Sequence, residues 1–152
     1  MPSRRSTRIV VDIVIDASPD DIWDELAAIE RHVEWMTDAA SIEFHDEQRR
    51  GVGTTFTCLT KLGPVSLDDE MEVTRWDERE AMGVRHRGLV RGEGTFELQP
   101  VNARSTRVMW REELSFPWWM AGSLGGVVGG RVLALVWRRN LRNLRDIVER
   151  NG

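Results

Sequence analysis

The fold of this chain is decided by residues 16–36, which read DASPDDIWDELAAIERHVEWM. Ser18 is a good helix N-cap, Pro19 suits the first helical position, and the two aspartates that follow favour the positive end of a helix dipole. Apolar residues then recur at helical spacing. The stretch therefore predicts a short helix that begins at Pro19, followed by a second short helix over about residues 31–38.

Strands flank this helical stretch on both sides. Residues 8–16 alternate apolar and polar side chains, which predicts one strand before the helices. From Ser41 onward a period of two persists, and short turn-like breaks divide it into six strands, at 41–47, 53–62, 65–76, 80–87, 90–99 and 104–116. Because the breaks are short, consecutive strands should pair antiparallel. An amphipathic helix over about residues 130–150 ends the chain.

This order of elements predicts an α+β fold. A single antiparallel sheet must have its apolar face covered, and the C-terminal helix is the only predicted element long enough to cover it. We therefore expect a curved seven-stranded antiparallel sheet wrapped around the long C-terminal helix, with the two short helices after the first strand leaving an internal space. A chain of 152 residues is the size of one domain. We expect a single domain over residues 1–152, with residues 1–7 as a flexible tail.

Composition excludes several classes of function. The formal net charge is −4, so a nucleic-acid-binding surface is not expected. The single cysteine, Cys58, rules out an internal disulfide and leaves too few thiolates for a zinc site. No histidine pair has metal-ligand spacing and no glycine-rich phosphate loop follows a strand, so we expect neither a metal nor a cofactor.

One stretch requires a test for membrane insertion. Residues 117–137 contain a single charge, Arg131, and approach the length that spans a bilayer. Arg131 lies deep inside the stretch, where a charge is costly, and five glycines dilute its hydrophobicity. The N-terminus also lacks the apolar core of a secretory signal. We therefore expect no stable membrane insertion and a cytoplasmic protein whose oligomeric state the sequence leaves open.

Three ionisable side chains fall on strand faces that should point inward. Asp69 shares the parity of the apolar positions in strand 65–76, His86 that of strand 80–87, and Glu112 that of strand 104–116. A charge on such a face is expensive unless it is paired or wet, which suggests an internal cavity. The neighbouring positions of the same faces are candidate ligand contacts: Phe56, Cys58, Thr60, Met71, Met82, Val84 and Trp110.

Other interpretations of these three residues stay open. A β-bulge would reverse the parity and turn any of them outward, and Asp69 and Glu112 both lie within acidic runs that suit a solvated strand end. His86 would also serve as a satisfied, half-buried histidine. If Glu112 were buried alone, Glu112→Gln would be neutral or stabilising in the ligand-free protein.

Trp118 and Trp119 stand apart from the other tryptophans. They follow Pro117 and precede a glycine-rich stretch, and two adjacent side chains cannot both point the same way on a regular element. One interpretation is a lid or portal of the cavity, with both residues as ligand contacts. The alternative is a packed entry to the last helix.

The stretch 16–36 resembles the opening of START-like (SRPBCC, Bet v 1-type helix-grip) proteins, in particular the polyketide cyclase/dehydrase and lipid-transport group. Val52-Gly53, the run GEGTFELQP at 92–100, TRVMW at 106–110 and the closing amphipathic helix are similar as well. The resemblance covers about residues 8–149 and departs at Ala28, where many relatives carry an aspartate.

The resemblance implies a ligand cavity between sheet and C-terminal helix. The expected function is binding of a hydrophobic or aromatic small molecule, such as a lipid, a polyketide or a quinone-like compound. One alternative is a polyketide cyclase/dehydrase-type enzyme in which Asp69, His86 and Glu112 supply acid and base groups. Another is a protein-binding adaptor, because the fold hosts all three kinds of function.

Overall fold

The computed structural model describes residues 5–117 and 126–152. In chain order the elements are β1 (Arg5–Ile15), α1 (Pro19–Ala27), a 3-10 turn (Ile29–Arg31), α2 (His32–Trp35), β2 (Ala39–Phe44), β3 (Thr55–Leu62), β4 (Val65–Asp77), β5 (Ala81–Arg87), β6 (Arg91–Asn102), β7 (Ser105–Phe116) and α3 (Gly126–Asn151). The predicted order of strand, two short helices, six strands and long helix is confirmed.

All seven strands form one antiparallel sheet in the order β1-β7-β6-β5-β4-β3-β2. β2 to β7 follow one another as neighbours, and β1 pairs with β7, so the segment with α1 and α2 carries the chain from one sheet edge to the other. The expected tail over residues 1–7 is wrong for residues 5–7, because Arg5 pairs with Phe116 and opens β1. Residues 1–4 lie outside the described residues.

The start of α1 follows the chemistry of its sequence. The Ser18 hydroxyl accepts a hydrogen bond from the backbone N–H of Asp21 at 3.3 Å, which satisfies one of the free donors of the first turn. Pro19 occupies the first turn, where its missing N–H costs nothing. Buried Ile22, Trp23 and Leu26 then tie the helix to the core.

The core lies between the sheet and α3. Buried side chains of α3, among them Leu133, Leu141 and Leu144, belong to one cluster with Ile9 and Val11 of β1. Each fully buried aliphatic side chain of this kind contributes about 1.5–3 kcal/mol of transfer free energy. Packing of α3 against the sheet therefore holds the fold together, as its apolar stripe predicted.

The register shifts of the sheet lie away from Asp69, His86 and Glu112. Register shifts occur between Val73 and Arg75 and between Pro100 and Asn102, and a third occurs at the start of β2. The first lies beyond Asp69 in the chain, and the second faces the far end of β7 from Glu112. The alternation of inward and outward side chains is therefore unbroken through the rows of Asp69, His86 and Glu112.

Within residues 5–117 and 126–152, no helix combines the length and the apolar character needed to cross a membrane. Arg131, the charge that interrupts the apolar stretch, is exposed on α3.

Candidate functional site

An internal cavity lies between the inner face of the sheet, α2 and α3. The volume open to the centres of water molecules is about 110 Å³. Its wall contains all ten of the sequence-derived candidates that fall in the described residues: Phe56, Cys58, Thr60, Asp69, Met71, Met82, Val84, His86, Trp110 and Glu112. Trp118 and Trp119 lie outside the described residues. The wall is mainly apolar and aromatic, so a ligand here would leave water almost completely.

A row of three ionisable side chains crosses this wall. His86 Nδ1 lies 3.0 Å and 2.9 Å from the two carboxylate oxygens of Asp69, and His86 Nε2 lies 3.0 Å from Glu112 Oε2. The row continues to Trp110, whose indole N–H donates to Glu112 Oε1 at 3.0 Å. Asp69, His86 and Glu112 are all buried, with exposed fractions of 8%, 7% and 6%.

The glycines of β6 make this row possible. β6 runs between β5, which carries His86, and β7, which carries Glu112, so the two side chains must meet across it. Gly94 pairs with Glu112, and a Cβ atom at Gly94 would stand 2.6 Å from Glu112 Oε2. Only a residue without a side chain leaves the Glu112 carboxylate room to lie over the strand and reach the imidazole.

Gly92, two residues earlier on the same strand, has a different reason to be glycine. Its φ of +142° is a conformation that residues with a side chain rarely adopt, and a Cβ atom there would clash with the backbone carbonyl of Glu113. β6 therefore approaches β7 closely beside the row. The sequence pattern Gly92-x-Gly94 marks close packing rather than phosphate binding.

The geometry holds His86 in its charged form. Each ring nitrogen faces a carboxylate, so both N–H groups donate only when the ring is an imidazolium. Burial alone would lower the pKa of His86, but the charges and hydrogen bonds of Glu112 and Asp69 outweigh it and raise this pKa to about 10. The row is thus a cation held between two carboxylates.

Glu112 is therefore not an isolated buried carboxylate. Its two oxygens accept from His86 and from Trp110. Glu112→Gln was expected to be neutral or stabilising if Glu112 were buried alone, and that premise is wrong. The two donors bond to different oxygens of Glu112, and a glutamine has an oxygen at only one of these positions. The substitution therefore leaves one donor without its acceptor and removes one anion from beside the imidazolium, so the structure reverses the expected sign.

The wall has a second polar group, which was not predicted from the sequence. Asp38 lines the cavity, and its Oδ1 accepts from Asn140 Nδ2 of α3 at 2.8 Å. Asn140 is completely buried, and its Oδ1 accepts from the Thr37 N–H at 2.9 Å and the Thr37 hydroxyl at 3.0 Å. Burial raises the pKa of Asp38. A polar residue three positions after Trp137 on the apolar stripe of α3 was the available signal.

His32 of α2 is a third polar feature of the wall and has the opposite charge behaviour. Its Nε2–H donates to the Leu26 carbonyl at 2.8 Å, and burial lowers its pKa to about 4, so the ring is neutral at pH 7. Its other nitrogen, Nδ1, is then an acceptor with no partner among the described residues. The ring packs against Trp35, with centroids 5.0 Å apart, and the indole N–H of the buried Trp35 has no partner in the same part of the chain.

Two further chemistries do not fit the described wall. Burial raises the pKa of Cys58 to about 11, so its thiol is protonated at neutral pH and is a poor nucleophile. His86 directs its two ring nitrogens at different carboxylates, so Asp69, His86 and Glu112 do not converge on one point. Among the described residues no group of three or more acidic, histidine or cysteine side chains is arranged to hold a metal ion.

An antiparallel sheet curved around one long helix, with a cavity between them, defines the helix-grip class of START-like proteins. The sequence matches the family model described as polyketide cyclase / dehydrase and lipid transport over residues 6–149, and the chain belongs to this family. The resemblance noted in the sequence is thereby confirmed. A search of curated protein sequences finds no significant match.

Solved structures share this fold. A protein from Thermus thermophilus superposes with a TM-score of 0.80 at 17% identity, over 96% of this chain and 99% of that one. A START superfamily protein from Mycobacterium smegmatis gives 0.78 at 12% identity, over 95% and 99%. The Zhui aromatase/cyclase from a Streptomyces species gives 0.75 at 16% identity, over 96% and 95%. At these identities the likeness shows the shared fold.

Proposed function

We propose that this protein binds a small hydrophobic or aromatic molecule in the cavity between the sheet and α3. The observation that supports this best is the cavity wall, where an apolar and aromatic lining surrounds one row of buried polar groups. Sites of this composition bury most of a ligand and orient it through a few polar contacts. In this proposal Phe56, Cys58, Thr60, Met71, Met82, Val84 and Trp110 contact the ligand body, while Trp118 and Trp119 contribute to the entrance.

The state of His86 favours binding over acid–base catalysis. An imidazolium with both N–H groups engaged has no lone pair with which to accept a proton from a substrate. A pKa of about 10 is also far above the neutral range in which a histidine exchanges protons efficiently. In the ligand-free protein, His86 therefore fixes the two carboxylates rather than acting as a base.

Filling the cavity tests the proposal. Val84 lines the wall, and Val84→Phe places a phenyl ring in the space that the ligand would occupy. Val101→Phe is the matched control, because Val101 is a strand valine that is 53% exposed. Titration with 2-phenylethanol, followed by tryptophan fluorescence, should saturate for the wild type and the control, and Val84→Phe should weaken binding at least about ten-fold. Equal affinity in all three proteins, or no saturable binding to the folded wild type, would refute the proposal.

The carboxylates support a second candidate, a cyclase/dehydrase-type enzyme. Each oxygen of Glu112 accepts one hydrogen bond and keeps a lone pair that could accept another proton. Such a carboxylate could take a proton from a methylene between two carbonyls; the enolate would attack a second carbonyl of the same molecule, and the carboxyl would return the proton to the new alkoxide. Mass spectrometry of a poly-β-keto thioester incubated with wild type and Glu112→Gln tests this. Cyclised product above the buffer background from the wild type alone supports the enzyme, and its absence rules this candidate out.

A further inference from the structure

The charged groups of the cavity wall have one prevailing sign. The described wall contains three carboxyl side chains, Asp38, Asp69 and Glu112, and no lysine or arginine, although the chain has 21 such residues. The imidazolium of His86 lies between two of these carboxyl groups, so the acidic side chains of the wall outnumber its one cation three to one. Residues 118–125, WWMAGSLG, contain no ionisable side chain that could reverse this sign.

The hydrogen-bonding groups that are still free at the wall also favour a ligand that donates hydrogen bonds. Both N–H groups of His86 and the N–H of Trp110 are already donated to carboxylates. Lone pairs stay open on the oxygens of Asp69 and Glu112 and on His32 Nδ1. The exceptions on the wall are the indole N–H of Trp137, which has no partner among the described residues, and the weak thiol donor of Cys58. His32 is a buried wall residue, with an exposed fraction of 6%. A ligand that offers N–H groups is therefore satisfied here, whereas a ligand carboxylate would meet lone pairs and like charge.

Aromatic rings border the row and offer a packing surface for the body of a ligand. Trp110 and Trp137 stack with ring centroids 5.0 Å apart and an interplanar angle of 27°. Phe96 lies 4.8 Å from Trp110, and all three rings line the cavity. An apolar or aromatic ligand body can pack against this group of rings, next to the carboxylate that Trp110 contacts.

We propose that the ligand of this cavity carries a protonated amine on a small apolar or aromatic body, and that the cavity excludes carboxylates such as fatty acids. The ammonium group would lie against the Glu112 carboxylate, beside Trp110, and the body would pack on the rings of Phe96, Trp110 and Trp137. This inference rests on the proposed function, since it specifies the ligand class of the same cavity.

Three probes of the same skeleton separate charge from shape. 2-Phenylethylamine, 2-phenylethanol and phenylacetate are titrated at pH 7 by calorimetry. We expect the amine to bind at least about ten-fold more tightly than the alcohol, and phenylacetate not to bind measurably. Binding of the alcohol without preference for the amine, or binding of phenylacetate as tight as that of the amine, overturns the charge inference alone. If no probe binds to the folded protein, the proposed function fails together with it.

Charge removal on either side of the same strand completes the test. Glu112→Gln removes the inner carboxylate, while Glu113→Gln removes the next one along β7, which is exposed on the outer face. We expect Glu112→Gln to reduce the preference for amine over alcohol at least about five-fold, and Glu113→Gln to leave it unchanged because exposed charges are screened. Asp69→Asn serves as a second variant if Glu112→Gln does not fold. An unchanged preference in the inner variant that folds would contradict the proposal.

Discussion

His86 and His32 show how burial acts in opposite directions on two residues of the same type. Both are buried in the same cavity wall, but only His86 has carboxylates at its two ring nitrogens. The pKa is raised to about 10 in His86 and lowered to about 4 in His32. The partner of the ring nitrogen, rather than burial itself, decides whether the histidine is charged.

The raised pKa of His86 makes stability depend on alkaline pH. Because the folded state holds its proton more tightly than the unfolded state, the stabilisation is complete below about pH 6.5 and is lost as pH rises towards 10. We expect the free energy of unfolding to fall by roughly 2 kcal/mol between pH 7 and pH 9. The chain has no tyrosine and a single lysine, so few other groups titrate in this range.

Urea denaturation at both pH values measures this loss, in a Cys58→Ala background that removes the one buried thiol. The control is His86→Gln in the same background, which should be less stable at pH 7 but nearly independent of pH over the range. A wild-type stability that stays constant from pH 7 to pH 9 would show that His86 is not held as an imidazolium.

The lowered pKa of His32 makes the stability of the protein fall at acidic pH. Its folded-state pKa lies below the unfolded value, so its stabilisation is present above about pH 6.5 and is lost as pH falls towards 4. The two histidines together place the stability maximum near neutrality. Neither direction follows from the sequence, because it depends on partners 17 and 26 residues away for His86.

At the scale of the element, β6 is the strand that makes the polar row possible. It contributes no polar side chain to the row, and its glycines give the space in which Glu112 reaches His86. Gly94→Ala should destabilise the protein by about 2–4 kcal/mol, because its Cβ displaces the Glu112 carboxylate from the imidazole. Chemical denaturation measures the change.

Two controls connect that cost to Glu112. Gly88→Ala should be close to neutral, since a Cβ there would stand 3.5 Å from its nearest neighbour. In a Glu112→Ala background the cost of Gly94→Ala should shrink by more than half, because the clash is gone. The same cost in both backgrounds would mean that Gly94 is needed for the strand itself and not for the row.

The alternation of apolar and polar residues was sufficient to predict which side chains of each strand face the inside of the protein. Asp69, His86 and Glu112 alternate with apolar residues, and no bulge intervenes in their rows, so period two placed all three on the inner face. The contacts between them were beyond the sequence, because they depend on the register of neighbouring strands. Asp38 and Asn140 were missed for the same reason: their hydrogen bond joins residues 102 positions apart.

For the whole molecule, the order of elements already determined which layers pack together. A sheet with one long amphipathic helix has one way to cover its apolar face, and the structure has that arrangement. The first residues of β1 and α3 were harder to predict from the sequence. β1 begins at Arg5 and α3 at Gly126, each a few residues before the position that hydrophobic periodicity indicated. In β1 the added residues 5–7 are polar and join the strand through backbone pairing. In α3 the added residues include two glycines, which are weak helix formers.

The central claim, that the internal cavity is the binding site, is tested most directly by histidine NMR. The chain has three histidines, of which His32 and His86 line the cavity, while His45 is exposed and bonds to Thr57. In protein labelled with ¹⁵N-histidine and titrated with 2-phenylethanol at pH 7, we expect the ring resonances of His32 and His86 to shift along one saturation curve while those of His45 stay in place. Saturable shifts at His45 alone, or none at His32 and His86 when calorimetry shows binding, would place the ligand elsewhere and contradict this account.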